Sequence, residues 1–317
     1  MSWAKGAELK ITIVILTYQR PSLLDDSLST LARVSHRLNE IIVVDNSTND
    51  ETRDLVAESH PGITYLRNSN NTGVAGRNLG MSVAQGDIVI TLDDDVIGIT
   101  EEDLDLLETR FMSDAKLGAV CFRVLHYETG DICNWCHHRI SAKCYLDQFP
   151  TYEISEGAVA FRRTALELAG YYCEDFFISH EGKDLAYRIM NTGFSVEYDG
   201  RISVIHHHAS SGRDNWRRYY YDTRNAIWLA IRNMPFLYGL RFLATTLAAM
   251  AVYSIRDNQV KSYFRALVDG VRGIGRMRAT RQAWTSSTVD VCREIDRMRP
   301  GFLYMIRKRL FRRGVQI

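Results

Sequence analysis

Between Ile11 and Leu92 the chain repeats one pattern: a short apolar, largely β-branched run, a polar cluster, then a segment with helical spacing. The runs are Ile11 to Leu16, Glu40 to Asp45, Ile63 to Arg67 and Asp87 to Leu92. Helical segments at about Ser22 to Arg33, Asp50 to Ser59 and Gly73 to Ala84 lie between them. Strands alternating with helices imply an α/β fold whose mostly parallel sheet is covered on both faces. In such sheets ligands sit outside the carboxyl ends of the strands. The clusters Thr17 to Arg20, Asp45 to Ser47 and Asp93 to Asp95 all fall at those ends.

After Asp95 the pattern changes. A helix is predicted from about Glu101 to Ser113 and a strand from Gly118 to Leu125, followed by an irregular Cys-, His- and Tyr-rich stretch to Pro150. Further strands are predicted at Ile154 to Phe161 and Ser203 to His207, with a helix at Gly182 to Thr192. From Asn215 onward the chain reads as helical. Phe236 to Ile255 barely reaches the ~20 apolar residues of a spanning helix and contains Arg241, which predicts a buried or interfacial helix.

The formal net charge of +1 argues against nucleic-acid binding through a general basic field, although arginines crowd the last hundred residues. Met1 to Lys10 carries Glu8 and no long apolar run, so no signal peptide is read there. A cytoplasmic location with six reduced cysteines is the expectation.

Three consecutive aspartates directly after the buried run Ile88 to Leu92 need an explanation, since packed like charges repel and are costly to desolvate. Carboxylates suit the hard ions Mg²⁺ and Mn²⁺, which leave positions open for phosphate oxygens. The plainer reading is a solvated acidic loop capping a helix that begins near Thr100.

Four ordered segments decide between these readings: Ile13-Val14-Ile15-Leu16-Thr17-Tyr18-Gln19-Arg20, Ile42-Val43-Val44-Asp45-Asn46-Ser47, Asn71-Thr72-Gly73-Val74-Ala75-Gly76-Arg77-Asn78-Leu79-Gly80 and Leu92-Asp93-Asp94-Asp95. In these the chain resembles glycosyltransferase family 2, inverting enzymes of GT-A fold, over roughly Ile11 to Trp228. The resemblance implies a Rossmann-like catalytic unit at 1–234, with a donor half at about 1–97 and an acceptor half at about 98–234. A helical extension at 235–317 follows. It also implies that Thr17, Tyr18 and Asp45, with Arg20 and Asn46 beside them, hold the nucleotide, and that Asp93 or Asp94 meets the ribose. Asp95 would be the metal ligand, and Arg77 and Asn78 would orient the loop and diphosphate. Gly73, Gly76 and Gly80 read more simply as turn and packing positions.

The acceptor side follows from the same resemblance. Phe176 to Arg188 matches a family segment that carries the general base, but Gly182 stands where an aspartate is more usual. Glu181 is then the candidate base, with Asp184 as the alternative or as a partner of Arg188. Glu156 and Gly157 lie in a segment resembling the strand beneath the acceptor sugar. Of His206-His207-His208, the spacing to Ser210 and Arg213 favours His207 or His208 as metal or diphosphate ligand, whereas strand alternation puts His206 and His208 on one face. Arg217 and Arg224 either meet diphosphate or solvate a helix.

The implied activity is metal-assisted transfer of a sugar from a UDP- or dTDP-sugar to a hydroxyl of a glycan, lipid-linked or natural-product acceptor. Other readings are a sugar-nucleotide-binding subunit that has lost its base, prompted by Gly182, and a nucleotidyltransferase, which lacks the expected phosphate loop after the first strand. Cys133 and Cys136, with His137, His138 and Cys144, raise a zinc site against the simpler reading of reduced thiols. The Arg-rich helices from Met234 onward suit an anionic membrane's inner face, a homodimer contact or packing on the core.

Overall fold

The computed structural model describes residues 9–207, 215–301 and 304. Its strands are β1 (Ile11–Thr17), β2 (Glu40–Asp45), β3 (Thr64–Arg67), β4 (Ile88–Asp93), β5 (Val96–Ile97), β6 (Leu117–His126), β7 (Gln148–Pro150), β8 (Ala158–Arg162) and β9 (Ser195–His206). They form one sheet in the order β3-β2-β1-β4-β8-β6-β9-β5, with β7 on β9. β3, β2, β1 and β4 are parallel. β8 runs antiparallel to β4 and β6, so the sheet is mixed beyond β4.

The helices are α1 (Pro21–Leu31), α2 (Glu51–Ser59), α3 (Arg77–Val83), α4 (Glu101–Ser113), α5 (Ser141–Cys144), α6 (Arg163–Ala169), α7 (Glu181–Asn191), α8 (Asn215–Asn233), α9 (Phe236–Arg256), α10 (Val260–Arg272), α11 (Ile274–Ala279) and α12 (Ser286–Arg297). α1 starts with Pro21, whose missing N–H and fixed φ suit the first turn. It buries Leu24, Leu28 and Leu31 on one stripe, each contributing about 1.5–3 kcal/mol. α4 carries a reciprocal Thr100–Asp103 capping box. That helix is therefore capped by Thr100, and the acidic triplet before it has another role.

The alternation along β1 divides the core. Ile11, Ile13 and Ile15 join a cluster with Leu24, Leu28, Leu104, Leu107 and Phe111 on one face. Val14, Ile42 and Val44 join Phe176, Leu185, Ile189 and Trp228 on the other. Gly80 lets α3 approach this second face, since a Cβ there would lie 2.7 Å from Val14 and 2.8 Å from Val44 side-chain atoms.

Two strands differ from their sequence-based bounds. β8 begins at Ala158 because 154–157 forms a turn, in which Ala158 N donates to Ser155 O at 3.0 Å. β9 begins at Ser195, well before Ser203. Its early half holds Glu197 and Asp199, which are paired with Arg110 and Arg201. β9 also shifts register against β6 between Phe122 and Arg123.

The C-terminal helices are tied to α7 and α8. Trp228 Nε1 donates to Gly270 O at 3.0 Å, and the rings of Tyr187 and Trp284 meet edge-on at 4.6 Å. α9 is long and apolar enough to cross a membrane, with mean hydropathy 1.4, yet only 11% of its apolar window is buried. Burial thus does not account for its apolar composition. Phe236, Leu237 and Ile255 are exposed at 80%, 77% and 70%.

Asp184, raised above as an alternative base, is fully buried at the centre of this packing. It accepts from Arg188 Nε at 2.9 Å, Arg232 Nε at 2.8 Å and Asn233 Nδ2 at 2.7 Å. These partners join α7 to α8 and leave its carboxylate no access to an acceptor. Burial alone would raise the Asp184 carboxyl, but Arg188 and Arg232 hold it below its ordinary value. Its contribution is therefore full above about pH 4 and is lost as pH falls through the depressed folded value. Asp184→Ala is expected to lose about 3–5 kcal/mol in urea unfolding at pH 7, with the gap from wild type narrowing in acid.

Candidate functional site

The acidic triplet sits where β4 ends between β1 and β8. Asp94 is fully buried, Asp95 is 5% exposed, and Asp93 is half-buried. Thr17 Oγ1, at the end of β1, donates to Asp94 Oδ2 at 2.7 Å. Arg20 bridges the pair, with its guanidinium on both Asp94 oxygens and Nη1 2.8 Å from Asp95 Oδ2. Ser27 Oγ of α1 donates to the Asp94 carbonyl at 2.7 Å. Asp93 takes an ion pair from Arg77, which is itself 1% exposed.

The third basic group is His206. β5 pairs antiparallel with the end of β9, placing Val96 opposite His206. His206 Nε2 then lies 3.1 Å from Asp95 Oδ1, and Nδ1 lies 2.8 Å from Asn134 Nδ2. His207 is placed differently: its backbone N–H donates to Asp95 O at 2.8 Å and its ring packs on Tyr127. His208, with Ser210 and Arg213, lies outside the described residues. Strand alternation, rather than spacing to Ser210, was the sequence signal that pointed to His206.

Burial pushes the Asp94 carboxyl up to about 7 despite Arg20 and Thr17. Burial would raise Asp95 too, but His206 and Arg20 hold it below its ordinary value. Burial would lower His206, yet its bonds to Asp95 and Cys133 raise it to about 9. One ligand atom each from Asp93, Asp95 and His206 lies within 4.8 Å of the others. Two carboxylates and an imidazole form a donor set that fits Mg²⁺ or Mn²⁺.

The neighbouring groups that resemble nucleotide contacts are largely engaged within the protein. Asp45 is fully buried, accepting from Ser47 N at 2.7 Å and Tyr65 OH at 2.9 Å. Asn46 bonds the Gly73 carbonyl at 3.0 Å and receives Asn68 Nδ2 at 2.7 Å. Tyr18 presents its ring, 44% exposed, beside this edge. Asn78 exchanges hydrogen bonds with the Tyr172 backbone at 2.8 and 3.0 Å, tying α3 to the segment after α6.

A second acidic group stands beside the triplet. Thr91 Oγ1 holds the Glu156 carbonyl at 2.6 Å, and a Cβ on Gly157 would lie 2.4 Å from the Asp93 carboxylate. The 154–157 turn therefore presses against the triplet. The Glu156 side chain reaches the start of α7, where a Cβ on Gly182 would lie 2.3 Å from its Oε1. Burial raises the Glu156 carboxyl to about 7. Burial, then the charge of Glu156, drives Glu181 well above its ordinary value. Glu181 is only 2% exposed, and its Oε2 has no hydrogen-bond partner, as is also true of the buried Tyr172 hydroxyl.

The loop before α7 is strained: Phe177, Ser179 and His180 have φ of 64°, 76° and 68°. Asn225 Nδ2 spans the carbonyls of Phe176, Ile178 and Ser179 at 2.9, 2.7 and 2.7 Å, and Val74 N donates to Phe177 O at 2.8 Å. Gly73, at φ +64°, makes this approach feasible, since a Cβ would lie 2.0 Å from Phe177 O. Arg224 bonds the carbonyls of Asp175 and Phe176 and lies over Trp228, so it anchors this loop. Arg217 lies over Trp216. Cys133 is buried and Cys136 half-buried, while His137 bonds Thr151 and His138 pairs with Glu153. Of the described residues, Asp93, Asp95 and His206 are the ones whose ligand atoms converge.

The acidic triplet thus stands at the carboxyl end of β4, with the Glu156–Glu181 pair beside it. Residues 12–168 match glycosyl transferase family 2. The O-antigen chain rhamnosyltransferase RfbN of Salmonella typhimurium is 26% identical over 227 residues, 67% of this chain and 71% of that protein. The fold matches the mannosyltransferase PcManGT from Pyrobaculum calidifontis, solved with GDP-Man and Mn²⁺, at TM-score 0.55 and 18% identity over 92% of this chain and 88% of that one. It also matches GalNAc-T7 solved with UDP, GalNAc and Mn²⁺, at TM-score 0.56 and 16% identity over 70% of this chain and 51% of that one. The chain belongs to glycosyltransferase family 2 and is a glycosyltransferase of GT-A fold.

The tight Gly157–Asp93 contact gives a direct check on the cluster. Gly157→Ala is expected to weaken Mn²⁺ binding at least tenfold by displacing Asp93, while the protein stays folded by circular dichroism. Calorimetric titration with MnCl₂ reads the effect.

Proposed function

We propose that this glycosyltransferase transfers a sugar, with inversion, from a UDP- or dTDP-sugar to a hydroxyl of a glycan, lipid-linked or natural-product acceptor, assisted by Mg²⁺ or Mn²⁺. The observation that carries the reading is the convergence of Asp93, Asp95 and His206 beside the β1 and β4 ends, with the Glu156–Glu181 pair across from them. Both structural relatives were solved with Mn²⁺, which supports the choice of cation.

In this reading Tyr18 lies against the nucleotide base, while Thr17, Asp45 and Asn46 shape the wall behind it. Asp93 or Asp94 meets the ribose, Asp93, Asp95 and His206 hold the cation, and Arg77, with Asn78 behind it, orients the diphosphate side. A bound cation supplies charge neutralisation for the departing diphosphate. Glu156 and Gly157 lie on the acceptor side, and the Glu156–Glu181 pair supplies the base. The enzyme works in the cytoplasm, at the inner face of the membrane.

A panel of UDP-, dTDP- and GDP-sugars, each tested for transfer with mass analysis of the product, tests the reading. EDTA is expected to abolish turnover and Mn²⁺ or Mg²⁺ to restore it. Asp95→Asn is expected to lower turnover at least ~100-fold with the fold intact. Turnover untouched by EDTA would remove the cation from the mechanism.

The exposed apolar residues of α9, flanked by Arg241 and Arg256, favour contact with an anionic lipid surface over a homodimer. Vesicles containing phosphatidylglycerol are expected to float the protein at low salt, and Phe236→Ser/Leu237→Ser to reduce flotation. A concentration-dependent dimer that these substitutions dissolve would favour the other arrangement.

A further inference from the structure

We propose that Glu156, reaching through the space left by Gly182, is the group that takes the acceptor proton, and that Glu181 is its buried partner. This rests on the transfer reaction proposed above and names the residue that the pair leaves open.

Few carboxylates near the triplet can do this. Asp94 and Asp95 are held by Arg20 and His206, and Asp93 by Arg77. Asp184 is enclosed by Arg188, Arg232 and Asn233. Asp222 accepts from Ser179 Oγ at 2.5 Å. Glu181 is 2% exposed, too enclosed to meet an incoming hydroxyl. Glu156 is half-buried where Glu181 is enclosed, no cationic side chain bonds it directly in the described network, and its neighbour Gly157 touches Asp93.

Glu156 is also positioned from three sides. Its carbonyl is fixed to β4 by Thr91, and its turn is closed by the Ala158–Ser155 hydrogen bond. Its carboxylate meets the first turn of α7, where the Gly182 backbone N–H serves as a donor. Any side chain at 182 would collide with Glu156 Oε1, at 2.3 Å, and with Ile154 O, at 2.6 Å. The glycine and the glutamate therefore fit each other: the helix start gives up its own side chain and receives a carboxylate from the neighbouring turn.

In the step, an acceptor O–H gives its proton to a Glu156 oxygen as the acceptor oxygen bonds the anomeric carbon. The bond from that carbon to the diphosphate oxygen breaks, and its electron pair leaves with the nucleotide. Glu181 stays enclosed beside Glu156 and does not touch the acceptor.

The test uses full-length enzyme and the nucleotide-sugar that wild type transfers in the panel above. Glu156→Gln is expected to lower kcat at least ~100-fold with donor KM, Mn²⁺ affinity and melting temperature unchanged. Glu156→Ala/Gly182→Asp, which supplies the carboxylate from the helix side, is expected to recover at least tenfold over Glu156→Ala. Should the double variant fail to fold, added formate on Glu156→Ala carries the same two outcomes. Wild-type-like turnover in Glu156→Gln, or no recovery by either route, would overturn the assignment. Absence of transfer by wild type across the whole panel would instead sink the reaction class itself.

Discussion

The structure depends on placing three successive carboxylates at the end of a buried strand without leaving them uncompensated. An unpaired ion in such a place costs several kcal/mol even after relaxation. Compensation comes from three distant parts of the chain: Arg20 after β1, Arg77 at the start of α3 and His206 at the end of β9. Each of these must return to the same edge, so the charge balance fixes how the two halves of the sheet meet. The same convergence leaves two carboxylates and an imidazole close enough to share one cation.

A second constraint lies where α7 begins. Asp184 nails this helix to α8 through Arg232 and Asn233, and Arg188 extends the network to the carbonyls of Ala169, Gly170 and Tyr171. That rigidity sustains the unusual backbone of Phe177, Ser179 and His180, a strain that the scaffold over-determines through Asn225 and Arg224. The result is a fixed platform for Glu156 and Glu181, facing the triplet through Gly157. Two glycines, at 157 and 182, permit approaches that no side chain would allow.

Much of the first half was legible because periodicity reports burial directly. β1, β2 and β4 match their apolar runs, and α1 follows the spacing of Leu24, Leu28 and Leu31. β9 was half-hidden, since its early part carries Glu197 and Asp199, whose charges break the apolar pattern and are met by Arg110 and Arg201. α9 reads as buried or interfacial, and its burial is slight. Asp184 could be read as chemistry or structure by spacing alone, and three hydrogen bonds from buried partners give it a structural place. The histidine triplet was ambiguous for a similar reason: spacing favoured His207 or His208, while the β5–β9 pairing brings His206 to Asp95.

The amino-acid sequence by itself determined the alternation of strand and helix, the acidic edge at the carboxyl ends and, through its ordered motifs, the family. These are local properties, carried by the side-chain period and by residues close together in the chain. Only the tertiary structure decided which histidine meets the triplet, that Asp184 is enclosed, and that the space above Gly182 is filled by Glu156. Arg188 apart, which lies one helical turn from Asp184, those outcomes depend on contacts between residues from 26 to 111 positions apart, with geometry set by sheet order and helix packing. Spacing along the chain carries no record of such contacts.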